Sequence, residues 1–407
     1  MRPPTNLDES PDSSTIGVVP PDGLTRRSFL RYLGLGTASL LVVADGVLAY
    51  RSYDQGVFGS TRGPAFDALE AWKDASGLEV LVAAAVLAAS AHNTQPWIFA
   101  IGDNRIDLYA DRARTTGAND PLLREFHVSL GCALENLVIE ARAQGYQPQV
   151  ILDPGGDADL VAYVQLASGI PEADELHQAI GTRRSNRSVY TQDPLPEGTI
   201  AAMQSVVDET VTPARLIWLT EPAERAAFSD LLVEATAAHN DDEEQSKGSY
   251  AWWRGSWDEV QEHRDGLNLN GVGLPPLVRT IGKLLPNPSR EDSDVTFLER
   301  TRLQADSAAA FGVVTVEDPY SLREQLAGGR LLQRLHLWAA THDLGFQHMN
   351  QITERIDRDL QLGNPSPFTE PLSRLVGETP ALVAFRIGTP TVAALPSPRR
   401  QVSEVMA

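Results

Sequence analysis

A helical pattern occurs twice in the chain and limits the folds it can adopt. LENLVIEA at 134–141 and LQRLHLWA at 332–339 share the spacing Leu-x-x-Leu-x-aliphatic-x-Ala, and each precedes a glycine and an aromatic residue, starting at Gly145 and Gly345. Two unrelated amphipathic helices would also give this match. Strand-like runs surround both copies and favour a repeat. The pattern therefore predicts an α+β fold in two halves.

Apolar periodicity supplies the remaining elements, and 407 residues that are 42% hydrophobic can bury two domains. We predict half-domains at 64–172 and 173–395, followed by a tail at 396–407. The predicted helices cover 66–89 as a pair, 122–145, 198–208, 222–238 and 320–344. The predicted strands are a hairpin of WIFAI and RIDLYAD around Gly102-Asp103-Asn104, then 160–168, 214–221, 311–318 and 381–388.

A long polar segment interrupts the second half. Residues 240–300 contain DDEE, Trp252, Trp253 and Trp257, and they are too many for an ordinary connection. The insertion is either a lid over a binding site or a solvated segment whose tryptophans pack on the core.

The N-terminus has the composition of a targeting segment. Residues 1–24 are rich in Pro, Ser and Asp without an apolar period, which predicts disorder. Arg26-Arg27, followed by Phe and Leu and an apolar run, resembles a twin-arginine export signal. Residues 25–55 are thus predicted to engage the twin-arginine translocase and to direct export to the periplasm or cell envelope, where 32–50 could act as an anchor.

A chance arginine pair before a core helix is the alternative to an export signal. Gly34 and Gly36 disfavour it, because glycine weakens a helix interior. Asp45 interrupts the apolar run and makes a membrane span doubtful. Whether the signal is cleaved stays open.

Charge and cysteine content exclude several classes of function. The net charge of −20 disfavours nucleic acid and anionic membranes as partners, since both need clustered Lys and Arg. An anionic ligand must find a local basic pocket. The single cysteine, Cys132, cannot form an internal disulfide and is predicted to lie in the core.

The loop Ser90-Ala91-His92-Asn93-Thr94-Gln95-Pro96-Trp97 lies between a predicted helix and a predicted strand. Loops in that place present side chains and amides to ligands. Asn and Gln amides match the alternating donors and acceptors of a flavin pyrimidine edge, while Pro and Trp shape an apolar slot. The alternative is a capped turn before a strand, with Trp97 in the core.

A basic cluster, Arg183-Arg184-Ser185-Asn186-Arg187, stands out in a chain with 34 basic and 54 acidic residues. Three arginines beside a hydroxyl can give bidentate hydrogen bonds to a phosphate dianion. A solvated basic turn would have the same composition.

Together the two motifs resemble the FMN-dependent nitroreductase family. In that family an Arg-x-Ser motif binds the FMN phosphate and ribityl chain, and the Ser-x-x-Asn-x-Gln-Pro-Trp loop reaches the flavin from the other subunit of a dimer. Here the loop precedes the arginines, which is similar to double-length members whose two halves imitate the dimer. The resemblance spans roughly residues 64–390. It implies a nitroreductase-like fold, a functional monomer and one FMN per chain.

The resemblance also assigns residues of the second half. The segment His348-Met349-Asn350-Gln351 is similar to the one that approaches the reactive flavin edge, and Arg386 resembles a late basic residue near the phosphate. A strand-end surface residue is the alternative for Arg386. The implied cofactor site comprises Ser90, His92, Asn93, Gln95, Arg183, Arg184, Ser185, Arg187, Asn350, Gln351 and Arg386.

Other chemistry is not supported by the spacing of residues. His336, His342 and His348 are six residues apart, which would spread them around a helix, so no metal site is expected. The sequence lacks a Gly-x-Ser-x-Gly elbow, a His-Glu-x-x-His helix and a Gly-Lys-Ser/Thr loop.

Two functions follow from the resemblance. One is an oxidoreductase that passes electrons to a nitro or quinone acceptor, with catalysis by the flavin and no protein residue assigned to the chemistry. The predicted export is an argument against a reductase, because NAD(P)H is not supplied outside the cytoplasm and an exported enzyme would need another reductant. The other is a protein that sequesters FMN with little or no turnover.

Overall fold

The fold was obtained as a computed structural model that describes Gly56, residues 61–209 and residues 213–407. The predicted export signal at 25–55 and the segment before it lie outside the described residues. The described residues form helices together with two sheets whose strands all pair antiparallel, so the predicted α+β class is confirmed.

The structure has the following elements. The helices are α1 Ala68–Ala71, α2 Glu79–Ala85, α3 Arg124–Ala143, α4 Glu175–Ala179, α5 Thr199–Glu209, α6 Pro222–Asp241, α7 Glu243–Ala251, α8 Trp257–His263, α9 Pro276–Leu284, α10 Arg290–Asp306, α11 Leu322–Thr341, α12 Gln351–Gln361 and α13 Thr369–Val376. The strands are β1 Trp97–Ile101, β2 Arg105–Ala110, β3 Tyr146–Leu152, β4 Leu160–Ser168, β5 Arg215–Leu219, β6 Ala310–Thr315, β7 Gly345–His348 and β8 Ala381–Gly388.

The strands form two four-stranded antiparallel sheets with the same topology. Their orders are β1-β2-β4-β3 and β5-β6-β8-β7. Strand β3, which sequence analysis missed, contains Pro148 and lies at an edge, where a residue without N–H is tolerated. Strand β7, which was also missed, has only four residues, and a run of that length is too short for an alternating pattern to be recognised.

The two copies of the helical pattern, α3 and α11, cross each other closely. Gly131 and Gly329 each stand three residues before the first Leu of their copy. A Cβ on Gly131 would lie 2.3 Å from the carbonyl oxygen of Leu326, and one on Gly329 would lie 2.2 Å from that of Val128. Only glycine permits this contact from either side.

Polar pairs on the same two helices are reciprocal in the same way as the two glycine contacts. Arg334 donates to Glu135 at 3.1 Å, and the next residue of α3, Asn136, accepts from Gln333 at 2.8 Å. Around this crossing, buried apolar residues from both sheets form one continuous core. The predicted burial of Cys132 is confirmed, since its side chain lies within that core.

The C-terminal tail packs on the first sheet although it follows the last strand of the second. The carbonyl of Val405 accepts the Phe99 N–H at 2.7 Å, and the N–H of Ala407 donates to the Phe99 carbonyl at 2.8 Å. Since β1 is an edge strand, the tail satisfies backbone groups that would otherwise be unpaired.

The insertion at 240–300 is helical and carries α7, α8 and α9 with the start of α10. Its Trp257 stacks on Phe66 with ring centroids 5.9 Å apart. Within the described part of the chain, no helix combines the length and hydropathy needed to cross a bilayer.

Candidate functional site

The Ser90–Trp97 loop has an unusual backbone. His92, Asn93 and Gln95 have φ values of +46°, +57° and +53°. Side chains with a Cβ rarely adopt this region, and such strain concentrates at functional sites. The Ser90 hydroxyl stabilises the loop by accepting the Gln95 N–H at 3.1 Å. Trp97 is fully buried at the start of β1, in agreement with the alternative interpretation that it belongs to the core.

The amides of the loop bind the C-terminal tail. Asn93 Nδ2 donates to the Pro398 carbonyl at 3.0 Å, and Asn93 Oδ1 accepts from Arg399 at 2.8 Å. Gln95 Oε1 accepts the Arg400 N–H at 2.8 Å. These two predicted flavin contacts are therefore engaged with protein groups and do not line the cavity beside the loop.

That cavity, of about 130 Å³, brings several predicted segments together. Its wall includes Ser90 and His92 of the loop, Arg187 of the basic cluster, and Asn350 with Gln351 at the start of α12. Residues from 90, 187 and 350 in the sequence thus meet in one place. The insertion adds Ser249, Leu267 and Phe297 to the same wall.

Polar atoms of the cavity wall lack protein partners. Nε2 of His348 and Oε1 of Gln351 are buried without a hydrogen bond. Burial lowers the pKa of His348 to about 3 and that of His92 to about 4, so both rings are neutral at pH 7. Unsatisfied buried polar atoms are costly, which indicates that the cavity binds a polar molecule.

Next to this cavity, Arg183 and Arg399 converge on the carbonyl of Leu87, at 2.9 and 3.4 Å. Arg184 is half-buried and donates to the carbonyls of Arg183 and Gly181. Within residues 61–209 and 213–407, none of the three arginines forms an ion pair with a carboxylate. We call Arg183, Arg184 and Arg399 the arginine cluster.

Burial leaves the charge of this cluster uncompensated. It lowers the pKa of Arg183 to about 9 and that of Arg184 to about 10, and it lowers the pKa of Arg399 well below its usual range. A guanidinium stays protonated in proteins, so these shifts express a cost that a bound anion would relieve. The Nε atoms of Arg183 and Arg399 are buried without partners. A phosphate would fit this donor set.

Arg187 and Ser185 have different surroundings from the arginine cluster. Arg187 lines the cavity and donates to the Gly271 carbonyl at 3.3 Å, and Ser185 is half-buried. Gly273 of the insertion, with φ +72°, packs on this segment, and a Cβ there would lie 2.1 Å from the Arg187 carbonyl carbon. The insertion therefore positions Arg187.

Arg386 occupies a different environment from the one expected. It is fully buried, and its five N–H groups donate to Gln347 Oε1, to the Ser307 hydroxyl and to carbonyls of Gln304, Asn186 and Ser188. It is thus neither a surface residue nor free to bind phosphate. Strand β8 places it against the end of α10, and it does not line the cavity.

A different late basic residue, Arg399, lies beside Arg183, since both contact the Leu87 carbonyl. Sequence analysis missed it because the tail at 396–407 was given no site. The signal was present as Arg399-Arg400, an adjacent basic pair just after the last strand of an acidic chain.

The histidines differ from the sequence interpretation in one respect. His348 lies on β7 and not on the helix of His336, and the two rings are 5.3 Å apart. Among the described residues, no three His, Cys, Asp or Glu side chains are grouped as metal ligands would be.

Comparisons with known proteins identify sequence relatives. No family model matches the chain. Two curated proteins of Mycobacterium tuberculosis, from strains CDC 1551 / Oshkosh and H37Rv, carry the name "Putative NAD(P)H nitroreductase"; each is 32% identical to it over 133 residues. The match covers 32% of this chain and 39% of each relative, so the chain spans about two fifths of the curated relatives it matches.

Solved structures give weaker matches. The FMN-dependent nitroreductase NfnB from Mycobacterium smegmatis, in complex with NADPH, is 14% identical, with 57% of this chain and 97% of that chain covered and a TM-score of 0.38. A nitroreductase with bound FMN from Desulfitobacterium hafniense DCB-2 is 12% identical, with coverage of 58% and 99% and a TM-score of 0.36.

Proposed function

We propose that the protein is an FMN-binding, nitroreductase-like oxidoreductase. The observation that carries the proposal is the arginine cluster, which has no carboxylate partner among the described residues and adjoins a polar cavity. The sequence relatives named as nitroreductases support the same class.

The residues present fit the parts of FMN. Arg183, Arg184 and Arg399 would hold the phosphate, because they offer charge-assisted donors that lack an anion. Unpartnered atoms of His348 and Gln351, with Ser90 nearby, would bind polar atoms of the flavin ring. When bound, FMN would accept two electrons and pass them to an acceptor of the nitro or quinone type.

The chain itself would position these groups and exclude water. Leu267 and Phe297 of the insertion place apolar surface on the cavity wall, and Ser249 contacts His92 at 3.3 Å. A covered site strengthens electrostatic contacts inside it. The same cover supports the second candidate function, sequestration of FMN with little turnover, since it limits the access of an acceptor.

We further propose that the two halves form a fused pseudo-dimer with one FMN site. Matching strand orders, the reciprocal contacts of Gly131 and Gly329, and the paired polar contacts of α3 and α11 support it. The tail that reaches back to β1 supports it also. A monomer with one FMN per chain is the expected state, which calorimetric titration with light scattering would measure.

Export through the twin-arginine translocase is a separate proposal. It rests on Arg26 and Arg27, which lie outside the described residues. Replacing both with Lys should retain the protein in the cytoplasm, and its unchanged appearance beyond the inner membrane on fractionation would contradict the targeting role.

The decisive experiment for function compares FMN with riboflavin, which lacks the phosphate. We expect Arg183→Met to weaken FMN binding about 10- to 100-fold, which corresponds to roughly 1.5–3 kcal/mol, and to leave riboflavin affinity nearly unchanged. The exposed Arg112, paired with Asp159, provides the control variant Arg112→Met. Equal losses for both ligands, or no FMN binding by the native chain, would contradict the phosphate assignment.

A spectrum separates the two candidate functions. Bound flavin that bleaches rapidly after a dihydronicotinamide or another two-electron donor is added, and recovers with a quinone, supports the oxidoreductase. Bound flavin that resists reduction supports sequestration.

A further inference from the structure

A series of hydrogen bonds runs from the insertion to the cavity wall, and it begins at a group that can only accept. The backbone carbonyl of Asp294 accepts from Nδ2 of Asn240 at 2.7 Å. This contact orients the Asn240 amide, because only its nitrogen can donate to a carbonyl. Oδ1 of Asn240 lies 3.2 Å from Nδ1 of His239, so Nδ1 carries the proton of that ring.

The other ring nitrogen of His239 is therefore an acceptor. Burial lowers the pKa of His239 below its usual value, so the ring holds one proton at pH 7. The side-chain amide of Asn119 meets Nε2 of His239 at 2.8 Å and must present its Nδ2 there. The second N–H of the same amide donates to the Gln245 carbonyl at 3.0 Å. Oδ1 of Asn119 is thereby turned towards Ser249.

Ser249, on α7 of the insertion, links these residues to the cavity. Oδ1 of Asn119 accepts the Ser249 N–H at 2.7 Å and its hydroxyl at 3.1 Å. The hydroxyl also lies 3.1 Å from Nε2 of His239, but Asn119 already occupies the one lone pair of that nitrogen. Since its only proton goes to Asn119, Oγ of Ser249 accepts from Nε2 of His92, at 3.3 Å.

These contacts decide which nitrogen of His92 is protonated. Nε2 carries the proton that Ser249 accepts, and the ring is neutral at pH 7, so Nδ1 is unprotonated. Among residues 61–209 and 213–407, Nδ1 of His92 has no hydrogen-bond partner. His92 lines the cavity beside Ser249. The ring thus offers the cavity a vacant acceptor.

The backbone on either side of His92 fixes the position of this acceptor. The N–H of Ala91 donates to the Ser129 hydroxyl at 3.0 Å, and the N–H of Asn93 donates to the Ser90 carbonyl at 3.0 Å. His92 itself has the left-handed φ of +46° described above. An acceptor that is positioned before the ligand arrives loses little conformational entropy on binding.

We propose that Ser249 holds His92 as the tautomer protonated on Nε2, and that Nδ1 of His92 accepts a hydrogen bond from an N–H or O–H group of the molecule in this cavity. Ser249 is then a positioning residue, and His92 determines specificity. The tautomer follows from the protein contacts alone, whereas the choice of ligand rests on the proposed function.

The acceptor discriminates between the groups that a reductase would bind. The oxygens of a quinone or a nitro group only accept, so they do not bind to Nδ1. The N3–H of a flavin ring and the hydroxyl of a hydroquinone both donate. A site built to pair with an N–H or O–H rejects an analogue that lacks it, because the acceptor is then left unpaired.

The first experiment observes the His92 ring in the flavin-free full chain by ¹⁵N NMR of labelled histidine, which distinguishes protonated from unprotonated ring nitrogens. The signals that disappear in His92→Phe belong to His92. We expect protonated Nε2 in the native chain, a mixture of tautomers in Ser249→Ala and recovery in Ser249→Thr, which retains the hydroxyl. Ser229→Ala is the matched control, because Ser229 is buried on α6, bonds to Asp306 and does not line the cavity.

Two results of this experiment would overturn the inference. One is a native ring protonated on Nδ1. The other is a Ser249→Ala spectrum identical to the native one, which would show that Ser249 does not set the tautomer. Both readouts are independent of flavin, so they stand whether or not the proposed function is correct.

The second experiment compares ligands with and without the donor hydrogen by calorimetric titration. One pair is riboflavin and 3-methylriboflavin, and the other is hydroquinone and 1,4-dimethoxybenzene, with and without bound FMN. We expect the methylated member of one pair to bind about 10-fold more weakly to the native chain, and the pair concerned identifies the source of the hydrogen. His92→Phe keeps a ring of similar size without the acceptor, so it should bind both members of that pair equally.

Equal binding within both pairs by the native chain would overturn the ligand contact. So would the same discrimination in His92→Phe, because it would then arise from the size of the methyl group. A native chain that binds no flavin contradicts the proposed function instead, and the hydroquinone pair on the flavin-free chain then decides the role of His92.

Discussion

Arg183 and Arg386 are both large, fully buried cations, at 2% and 0% exposure, yet their surroundings differ. Arg386 uses all five N–H groups in hydrogen bonds and stacks on Tyr190 at 3.7 Å. Arg183 donates to Leu87, lies 3.4 Å from Nδ1 of His336 and has an unpartnered Nε. A buried arginine thus indicates a ligand site only when its donors exceed the acceptors that the protein supplies.

The largest effect is expected at the satisfied arginine. Arg386→Met should lower the free energy of unfolding by about 3 kcal/mol or more, because several buried acceptors lose their donor at roughly 1–3 kcal/mol each. Urea unfolding of the full chain measures it, with the exposed Arg112→Met as control. If Arg386→Met lowers the free energy of unfolding no more than Arg112→Met does, Arg386 does not stabilise the fold, and the contrast between Arg386 and Arg183 is lost.

An intermediate effect should appear when FMN is added. At 100 times its Kd, a ligand specific for the folded state stabilises by about 2.7 kcal/mol. In Arg183→Met, whose affinity is expected to be about 10- to 100-fold lower, the same FMN concentration should stabilise by only about 0.4–1.4 kcal/mol, because the phosphate loses a charged donor. Riboflavin should stabilise both proteins equally. If FMN stabilises the variant as much as the native chain, Arg183 does not contact the phosphate.

Local structure was largely predictable from the sequence. Strands 160–168 and 381–388 were predicted at their observed bounds, because both are short, mainly apolar runs flanked by turn-forming residues. Helix α3 was predicted at 122–145 and runs from Arg124 to Ala143. The meeting of Ser90, Arg187 and Gln351 in one cavity followed from the family resemblance and not from periodicity.

Partner choice across long sequence distances was not predictable. Asn93 and Gln95 have the amides that a flavin edge would require, but both are hydrogen-bonded to the tail at Pro398 and Arg400. Arg386 and Arg399 are equally basic in the sequence. Only the packing of β8 against α10, and of the tail against the loop, separates their roles.

The smallest effect is expected for Arg183→Met without any ligand. Without the Arg183 guanidinium, the Leu87 carbonyl still has a donor, because Arg399 approaches it at 3.4 Å. The substitution also removes one charge from a cluster whose members repel one another. Replacing a poorly compensated buried ion with an apolar side chain of similar length is often neutral or stabilising. We therefore expect the free energy of unfolding to change by less than about 1 kcal/mol, in contrast to Arg386→Met. Urea unfolding of both variants side by side, in buffer free of phosphate and sulfate, makes the comparison. A loss of roughly 3 kcal/mol for both would mean that Arg183 supports the fold as Arg386 does, and the arginine cluster would then lose its claim to an anion.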